Sequence, residues 1–355
     1  TSTGQWARYD AISGELTVLT FEGDPPRRAP RVQGALAWWD EPERPWLVRL
    51  DTGRTRSLRD QMVEGGRVVA ATPSGDHLLV AGDGDHVIST GDGAVRTLPP
   101  QSSVTLSTDG RRLASIAPAT AGADVYLENI DGSARRLIAT VPDDGLPVPL
   151  EDGRVLVLGT ASRIIQTDGT LTDLPPVPGA ARPVVAADGR RVMVLGEQGL
   201  VLVDPDAATA DVLADSLGWS VYANGPRTVL WAVSEDPAQT GALVVDPATG
   251  AVERLLPDTP TGPFTAISED GRTVLLAAGV GGVDQFILTA DGEVWTARDA
   301  TDAALHPEAT AVAAAVANDV TRTLLVGAPD AVGSVAQAEV EIATGRHPVW
   351  LMTSD

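Results

Sequence analysis

Short apolar runs alternate along the chain with turns rich in aspartate, asparagine and glycine. One recurring element is a turn followed by a hydrophobic strand, as in S-T-D-G-R-R-L-A-S-I from Ser107, A-A-D-G-R-R-V-M-V-L from Ala186 and S-E-D-G-R-T-V-L-L-A from Ser268. Asp-Gly supplies the positive φ that tight hairpin turns need, and the Val, Leu and Ile that follow favour strands. No helical period persists over a full window, so the pattern predicts an all-β chain with, at most, one helical turn within 299–311.

A second element alternates with the first and consists of a strand, a tight turn and another short strand. Examples are L-V-V-D-P-A-T-G-A-V-E-R-L-L from Leu243 and V-R-L-D-T-G-R-T-R-S-L from Val48. The turn glycines of the first element, or their equivalents, fall near positions 34, 75, 110, 153, 189, 225, 271 and 319. This spacing of about 41 residues is the length of a propeller blade, and two hairpins per period make four strands, named a to d from the axis outward.

The repeat predicts a single all-β domain over 1–355, a β-propeller of about eight four-stranded blades. Radial repetition would hide the sheet edges that an open array exposes. There are eight first elements but nine second ones, and the extra hairpin, within 1–24, either closes the ring or packs outside it. Seven blades with an irregular N-terminal segment, an open β-solenoid and two sandwiches are the alternatives. The approximate repeats are 25–59, 63–98, 103–138, 146–174, 182–213, 219–256, 263–297 and 311–352.

The S-x-D-G-R-x-L motif resembles the repeat of TolB-type and related bacterial β-propellers with WD-like repeats. The resemblance covers most of the chain and implies the fold. Propellers of this type include binding scaffolds, peptidase-associated domains, lyases and hydrolases. Because the Asp and Gly of the motif shape a turn, the resemblance transfers no functional residue. Trp39-Asp40 is the single Trp-Asp dipeptide, and it does not end a repeat as it does in the WD family.

Composition and missing motifs exclude several chemistries. The net charge is -22, which disfavours nucleic acid and anionic lipid as partners. All 26 cationic side chains are Arg and there is no Cys, so neither a Schiff-base lysine nor a thiolate or cysteine-ligated metal exists. There is no G-x-S-x-G, H-E-x-x-H or phosphate-loop motif. The sequence therefore predicts no cofactor, no metal and no catalytic residue, and it leans away from an enzyme.

Candidate binding residues come from the expected propeller topology, in which b-to-c and d-to-a loops share one face. Carboxylates are numerous in those loops, which predicts an acidic interaction surface. Aromatic side chains placed there can stack on a sugar or anchor a protein, although packing between blades is the alternative. Arginines near the starts of strands a are candidates for an anion site in the funnel. The candidates are Trp38, Trp39, Asp83, Asp85, His86, Trp219, Arg67 and Arg182.

These features favour a non-enzymatic binding or scaffolding propeller that contacts another protein. A carbohydrate-binding or carbohydrate-active propeller and a structural domain of a longer chain are the alternatives. The partner is predicted to be a protein or a glycan, with no nucleic acid and no membrane insertion, because no run of 18 apolar residues occurs. The chain starts at Thr1 without a signal segment, as a mature exported form would. We therefore expect an extracellular or cell-surface location.

Overall fold

A computed structural model describes the backbone of most of the chain, and the side chains mainly between residues 17 and 214 and at 245–252. The described residues are 7–9, 16–22, 26, 31–33, 36–41, 44–49, 52–62, 66–72, 74–82, 84–101, 103–142, 145–186, 189–215, 220–224, 227–232, 241–255, 264–267, 274–280, 283–290, 293–297, 300–305, 312–317, 322–327 and 340–344. Within these ranges every regular element is a strand. The same residues include no helix long and apolar enough to cross a membrane.

The chain divides into two compact units, and the first covers most of residues 4–211. It starts with a two-stranded sheet of β1 (Ala7–Tyr9) and β2 (Leu16–Val18). Five four-stranded sheets follow. Sheet 1 is β3 (Arg31–Gln33), β4 (Leu36–Glu41), β5 (Arg44–Arg49) and β6 (Arg54–Ser57). Sheet 2 is β7 (Arg67–Ala71), β8 (His77–Ala81), β9 (His86–Ser89) and β10 (Val95–Thr97). Sheet 3 is β11 (Ser103–Leu106), β12 (Arg112–Ala119), β13 (Gly122–Asn129) and β14 (Arg136–Val141).

The last two sheets of this series have the same arrangement. Sheet 4 is β15 (Leu146–Pro149), β16 (Val155–Leu158), β17 (Arg163–Ile165) and β18 (Leu171–Asp173). Sheet 5 is β19 (Ala181–Val185), β20 (Val192–Gly196), β21 (Gly199–Asp204) and β22 (Thr209–Asp215).

The second unit covers most of residues 212–352 and contains three more four-stranded sheets. Sheet 6 is β23 (Ser220–Asn224), β24 (Arg227–Ala232), β25 (Gly241–Asp246) and β26 (Ala251–Leu255). Sheet 7 is β27 (Phe264–Ile267), β28 (Val274–Val280), β29 (Val283–Ala290) and β30 (Glu293–Ala297). Sheet 8 is β31 (Ala300–Leu305), β32 (Val312–Ala317), β33 (Arg322–Gly327) and β34 (Val340–Thr344).

The strand order confirms the predicted all-β class with eight four-stranded repeats. In each sheet the four strands are consecutive in the chain, and neighbouring strands pair antiparallel, as from β11 through to β14. Among the described residues, the N-terminal strands β1 and β2 pair with each other and join none of the eight sheets. The described part of the chain therefore has eight four-stranded sheets and a separate hairpin, in place of the seven of the alternative.

The helical turn expected within 299–311 is wrong in its described part. Residues Ala300–Leu305 form β31, which pairs antiparallel with β32 from Ala300↔Val316 to Leu305↔Val312. Alanine-rich sequence favours helix locally, but propensity is a weak prior that backbone pairing in a sheet overrides. Residues 306–311 lie outside the described residues.

The S-T-D-G-R motif closes the turn between strands a and b. In sheet 3, Gly110 has φ of 70°, and its amide donates to the Ser107 carbonyl at 2.9 Å. The Asp109 carboxylate accepts hydrogen bonds from the Ser107 hydroxyl at 2.6 Å and from the Arg111 amide at 3.0 Å. The motif is thus an Asx turn in which each polar side chain satisfies a backbone or neighbouring group.

Among the described side chains, apolar layers lie between each pair of successive sheets from sheet 1 to sheet 5. In sheet 4, Val155 and Val157 pack against Ala114 and Ile116 of sheet 3, and each has at most 2% of its surface exposed. The alternate residues, Leu156 and Leu158, pack on the other face against strands of sheet 5, including Val192 and Val194. Side chains that alternate between two buried faces explain why strand b reads as a continuous apolar run.

Arginines of strand d connect neighbouring sheets at the c-to-d turns. Arg56 of sheet 1 donates to the carbonyls of Thr90 at 3.0 Å and Gly91 at 2.9 Å in sheet 2. Arg96 of sheet 2 donates in the same way to Ile130 of sheet 3 at 3.0 Å. A Cβ on Gly93 would lie 2.9 Å from Arg56 Nη1, so this turn needs glycine for the approach as well as for its φ of 76°.

We predict that Ser115→Val stabilises the protein by about 1 kcal/mol, because a buried hydroxyl without a partner costs that order of free energy. Ser115 is 1% exposed, and its Oγ accepts or donates no hydrogen bond within the described residues. The register of sheets 2 and 4 places Val80 and Val157 at the equivalent position of strand b. Urea unfolding of the variant and the wild type measures the difference in the free energy of unfolding.

Ser162→Val is the matched control for this substitution. Ser162 is fully buried, but its Oγ donates to the Gly159 carbonyl at 3.0 Å and accepts from the amides of Gly159 and Val177. We expect this variant to lose about 1 to 3 kcal/mol of the free energy of unfolding, since the Gly159 amide loses this acceptor and the Val177 amide keeps only the Gly159 carbonyl. A Ser115 variant that is destabilised as much as the Ser162 variant would contradict the prediction.

The aspartates in the turns make the stability of the fold sensitive to low pH. Burial is the largest influence on the pKa of Asp109 and would raise it, but hydrogen bonds from Ser107 and Arg111 hold that pKa below 3.8. Burial would also raise the pKa of Asp204, but hydrogen bonds from the amides of Ala207 and Asp206 and the nearby Arg191 lower that pKa overall. Because both pKa values are depressed on folding, their stabilisation is present above pH 3.8 and is lost as pH falls through the lower folded values.

We therefore predict that Asp109→Asn combined with Asp204→Asn flattens the loss of stability below about pH 4. Asparagine keeps a carbonyl acceptor for the turn amides but does not titrate. Thermal unfolding between about pH 2 and pH 7 gives the change of the unfolding temperature with pH for the variant and for the wild type. An equally steep change in both proteins would contradict the prediction.

Candidate functional site

The antiparallel order places the b-to-c connection, the end of strand d and the start of the next strand a at one end of each sheet. We call this the loop end, and we call the opposite end, with the a-to-b and c-to-d turns, the turn end. Candidates Asp85 and His86 lie at the loop end of sheet 2, where β9 begins. The loop end also carries the connections from one sheet to the next, and connecting loops are where binding residues are most often found.

Asp85 links the two connections at the loop end of sheet 2. Its carbonyl accepts a hydrogen bond from the Leu98 amide at 2.8 Å, just after β10 ends. Its carboxylate accepts a second one from Gln101 Nε2 at 3.2 Å, in the connection to sheet 3. Asp85 is half-buried, so its carboxylate both fixes the loops and faces solvent in part.

His86 is a buried member of strand β9. It is 6% exposed, and its backbone pairs with Val80 on one side and Thr97 on the other. Its Nδ1 lies 2.8 Å from the Asp85 carbonyl. Since a carbonyl can only accept, this contact assigns the hydrogen to Nδ1. The imidazole therefore supports the position of Asp85 from within the sheet.

The same connection recurs in other sheets of the first unit. In sheet 4, the Leu174 amide donates to the Ser162 carbonyl at 3.0 Å, and the Val177 amide donates to the Gly159 carbonyl at 2.8 Å. In sheet 1, the Leu58 amide donates to the Pro45 carbonyl at 2.8 Å. Leu58 and Leu174 are both buried, so each anchors the end of its strand d.

Two Pro-Pro pairs stand exposed on this framework. Pro99-Pro100 follows the buried Leu98 in sheet 2, and Pro175-Pro176 follows the buried Leu174 in sheet 4. Proline fixes φ, so such a segment loses little conformational freedom when another molecule packs on it. Pro99 and Pro100 therefore form a preordered apolar segment next to the Leu98–Asp85 contact, and Pro175 and Pro176 form the equivalent segment in sheet 4.

Trp38 and Trp39 lie inside strand β4, whereas the sequence placed them beside a longer b-to-c loop over residues 40–45. Strands β4 and β5 continue to Glu41 and from Arg44, so only residues 42–43 separate them. Trp38 is 5% exposed and belongs to the apolar cluster between sheets 1 and 2. Trp39 is 3% exposed and meets Phe21 edge to face, with ring centroids 6.0 Å apart.

For Trp38 this is the packing between sheets that the sequence offered as the alternative, whereas Trp39 packs on the N-terminal segment. Trp46, in β5, also packs edge to face on Phe21 at 5.0 Å. Phe21 follows β2, so the aromatic cluster attaches the N-terminal segment to sheet 1. A second contact joins them, since the Thr55 hydroxyl donates to the Thr20 carbonyl.

The remaining candidates are dispersed. Arg67 is exposed at the start of β7, and Arg182 lies in β19 with a side chain outside the described part. Asp83 and Trp219 lie outside the described residues. Among the side chains that the structure describes, no three His, Asp or Glu residues converge in a way that could hold a metal ion. Asp85 and His86 are the candidates that the described structure brings into contact.

Gln101 and Ser162 were missed by sequence reasoning. Gln101 lies three residues after Leu98, as Gln61 lies three residues after Leu58, and this shared offset was a usable signal. The Oε1 atoms of both glutamines are buried and accept no hydrogen bond from the described residues. Ser162 carried no signal, because an isolated serine in a loop is common.

Comparison with known proteins agrees with this geometry at the level of the fold. No protein-family model matches the chain. No curated protein matches it either. Among solved structures, dipeptidyl peptidase 4 of Porphyromonas gingivalis is similar, with a TM-score of 0.55, 12% identity and coverage of 90% of this chain and 59% of that one. The fold is a β-propeller.

Two further solved structures support the same conclusion. A eukaryotic initiation factor is similar over 91% of this chain and 93% of its own chain, with a TM-score of 0.52 and 14% identity. The dihydro-heme d1 dehydrogenase NirN matches over 93% of this chain and 76% of its own, with a TM-score of 0.50 and 11% identity. At these identities the likeness shows the propeller fold alone, which confirms the fold expected from the repeat.

We predict that Asp85→Ala destabilises the protein by about 1 kcal/mol, the scale of one partly exposed hydrogen bond to a charged group. The variant removes the acceptor of Gln101 Nε2 and leaves both polar atoms of that amide without a described partner. Asp60→Ala is the matched control, since Asp60 is exposed in the connection between sheets 1 and 2. Equal unfolding midpoints in urea for Asp85→Ala and Asp60→Ala would contradict the prediction.

Proposed function

We propose that this propeller is a binding or scaffolding module that contacts a protein partner through the loop end of its sheets. The observation that supports the proposal is the preordered surface at sheets 2 and 4, where exposed prolines follow strand ends held by the Asp85 and Ser162 carbonyls. A rigid surface loses little entropy on binding, so modest contacts suffice for affinity.

Charge favours a basic partner for this surface. The chain has a net charge of -22, and the half-buried Asp85 supplies a carboxylate beside the apolar prolines. Complementary charge steers encounter and sets specificity, while the apolar prolines supply contact area. We therefore expect the partner segment to combine Arg or Lys with apolar residues.

The carbohydrate alternative loses its described support, because Trp38 and Trp39 are buried in sheet 1 and do not present a stacking face. A glycan array tests it directly, and we expect no specific signal. The role of a structural domain in a longer chain and the extracellular or cell-surface location stay predictions. Immunodetection of the native protein in fractionated cells tests the location.

A peptide library displayed on phage tests the proposal and does not require the partner to be identified first. We predict that the wild-type protein selects peptides enriched in Arg or Lys and in apolar residues. We expect Asp83→Lys combined with Asp85→Lys to weaken their binding at least tenfold, because two attractive charges become repulsive. Fluorescence anisotropy of a selected peptide measures both affinities.

Glu151→Lys combined with Asp211→Lys is the matched control. It changes the net charge equally but places the new lysines at an exposed a-to-b turn of sheet 4 and at an exposed position of strand β22. Selected peptides that bind both double variants equally, or a library that yields no binder above background, would contradict the proposal.

A further inference from the structure

The turn between strands c and d meets strand d of the preceding sheet. In sheets 2 and 3, a Cβ on the turn glycine would lie 2.9 Å from a side-chain atom of Arg56 and of Arg96, respectively. In sheet 4, a Cβ on the turn glycine would lie 3.2 Å from the Ile138 carbonyl oxygen. These three neighbours belong to β6, β10 and β14, the strands d of sheets 1, 2 and 3. The space beside the turn glycine is therefore the place of an extended segment.

At sheet 1 a segment from outside the four-stranded sheets takes this place. A Cβ on Gly53, in the turn between β5 and β6, would lie 3.7 Å from Leu19 Cδ2. Leu19 follows β2 and is 9% exposed, whereas Val18 is 49% exposed. Among the described strands, β2 pairs with β1 and with no strand of sheet 1. The N-terminal segment thus lies where a strand d lies in the other sheets, and no described ladder joins it to sheet 1.

Residues 19–21 contact sheet 1 in the manner of an extended segment. The side chain of Leu19 is buried, Thr20 is exposed and Phe21 is half-buried. This alternation is the side-chain period of a strand. Between the two apolar side chains, the Thr20 carbonyl accepts a hydrogen bond from the Thr55 hydroxyl of β6. Sheet 1 therefore accommodates a Leu-x-Phe pattern and holds the backbone between the two apolar side chains.

Phe21 covers a pair of tryptophans that face it from neighbouring strands. Its ring is inclined at 81° to that of Trp39 and at 85° to that of Trp46. Edge-to-face contacts of this kind are favoured between aromatic side chains and add to the effect of buried area. The two tryptophans are paired across β4 and β5. Departure of Phe21 would expose aromatic surface that another aromatic side chain can cover.

A segment that packs on a sheet without a ladder belongs to the parts of a fold that open locally at a small cost in free energy. We propose that this face of sheet 1, formed by Trp39, Trp46, Gly53 and Thr55, is an exchangeable binding site. Its ligand is an extended segment of a partner protein with leucine and an aromatic residue two positions apart, and residues 19–21 occupy the site in cis. The tethered segment competes at a high effective concentration, so a partner binds when that segment is released.

This site lies on sheet 1, whereas the proposed function uses the loop end of sheets 2 and 4. Either proposal can therefore fail without the other.

A fluorescein-labelled peptide with the sequence of residues 16–22, L-T-V-L-T-F-E, tests the site by fluorescence anisotropy with the full chain. Leu19→Ala combined with Phe21→Ala weakens the cis segment, so we expect this double variant to bind the peptide about tenfold more tightly than the wild type does. Val18→Ala is the matched control, because Val18 is an exposed residue of the same segment, and it should bind as the wild type does. Equal affinities of the double variant and the wild type, or no binding to either, would overturn the proposal.

Two further comparisons test whether the peptide binds to this face. We expect the peptide with Phe21→Ala to bind the double variant about tenfold more weakly, because the contact with the two tryptophans is lost. We expect Thr55→Val, added to the double variant, to weaken binding of the original peptide about fivefold, the effect of one hydrogen bond. An unchanged affinity in either comparison would mean that the peptide binds elsewhere, against the proposal.

If the double variant does not fold, Phe21→Ala alone supplies the weakened cis segment for the same comparisons. Analytical ultracentrifugation of the wild type then separates a partner protein from a second copy of this chain. We expect the peptide to leave the oligomeric state of the wild type unchanged. A dimer that the peptide dissociates would assign the face to the N-terminal segment of another copy and would overturn the assignment to a partner protein.

Discussion

The apolar layer between successive sheets is the interaction on which the described fold depends. Sheet 4 shows it most fully, since alternate residues of β16 are buried against sheet 3 and sheet 5. A sheet with two apolar faces cannot be stable alone, because each face needs a neighbour to exclude water. Because the same unit is repeated, each apolar face packs against a neighbouring sheet. This packing on both faces explains why strand b is apolar at consecutive positions.

Close packing of neighbouring sheets sets strict conditions on the turns. The turns between strands c and d meet side chains of the preceding sheet, as Gly93 meets Arg56 and Gly132 meets Arg96. Glycine at these positions has positive φ and no Cβ, so it satisfies the turn and the contact at once. Arginine suits the other side of the contact, because its fork donates to two carbonyls of one turn.

The two ends of the sheets consequently differ in their chemistry. At the turn end, backbone carbonyls and side-chain carboxylates are engaged by arginines and by turn amides, as at Asp109 and Glu128. At the loop end, the connections are held by a few backbone hydrogen bonds to residues such as Asp85 and Ser162, and prolines stay exposed. Binding through the loop end leaves the contacts between sheets intact, which suits a module that holds a partner without changing its own fold.

The sequence by itself determined the strand content, the eight-fold repeat and the Asp-Gly turns, because these depend on local preferences that recur about every 41 residues. It also pointed to Asp85 at a sheet end. Tertiary structure decided the rest. Trp38 and Trp39 are buried because β4 and β5 extend to a two-residue connection, and Ala300–Leu305 is a strand because β32 pairs with it. Glu128 and Arg96 are 32 positions apart, and only the packing of one sheet on the next brings their charges together. Contacts of this kind arise between elements, so no local pattern records them.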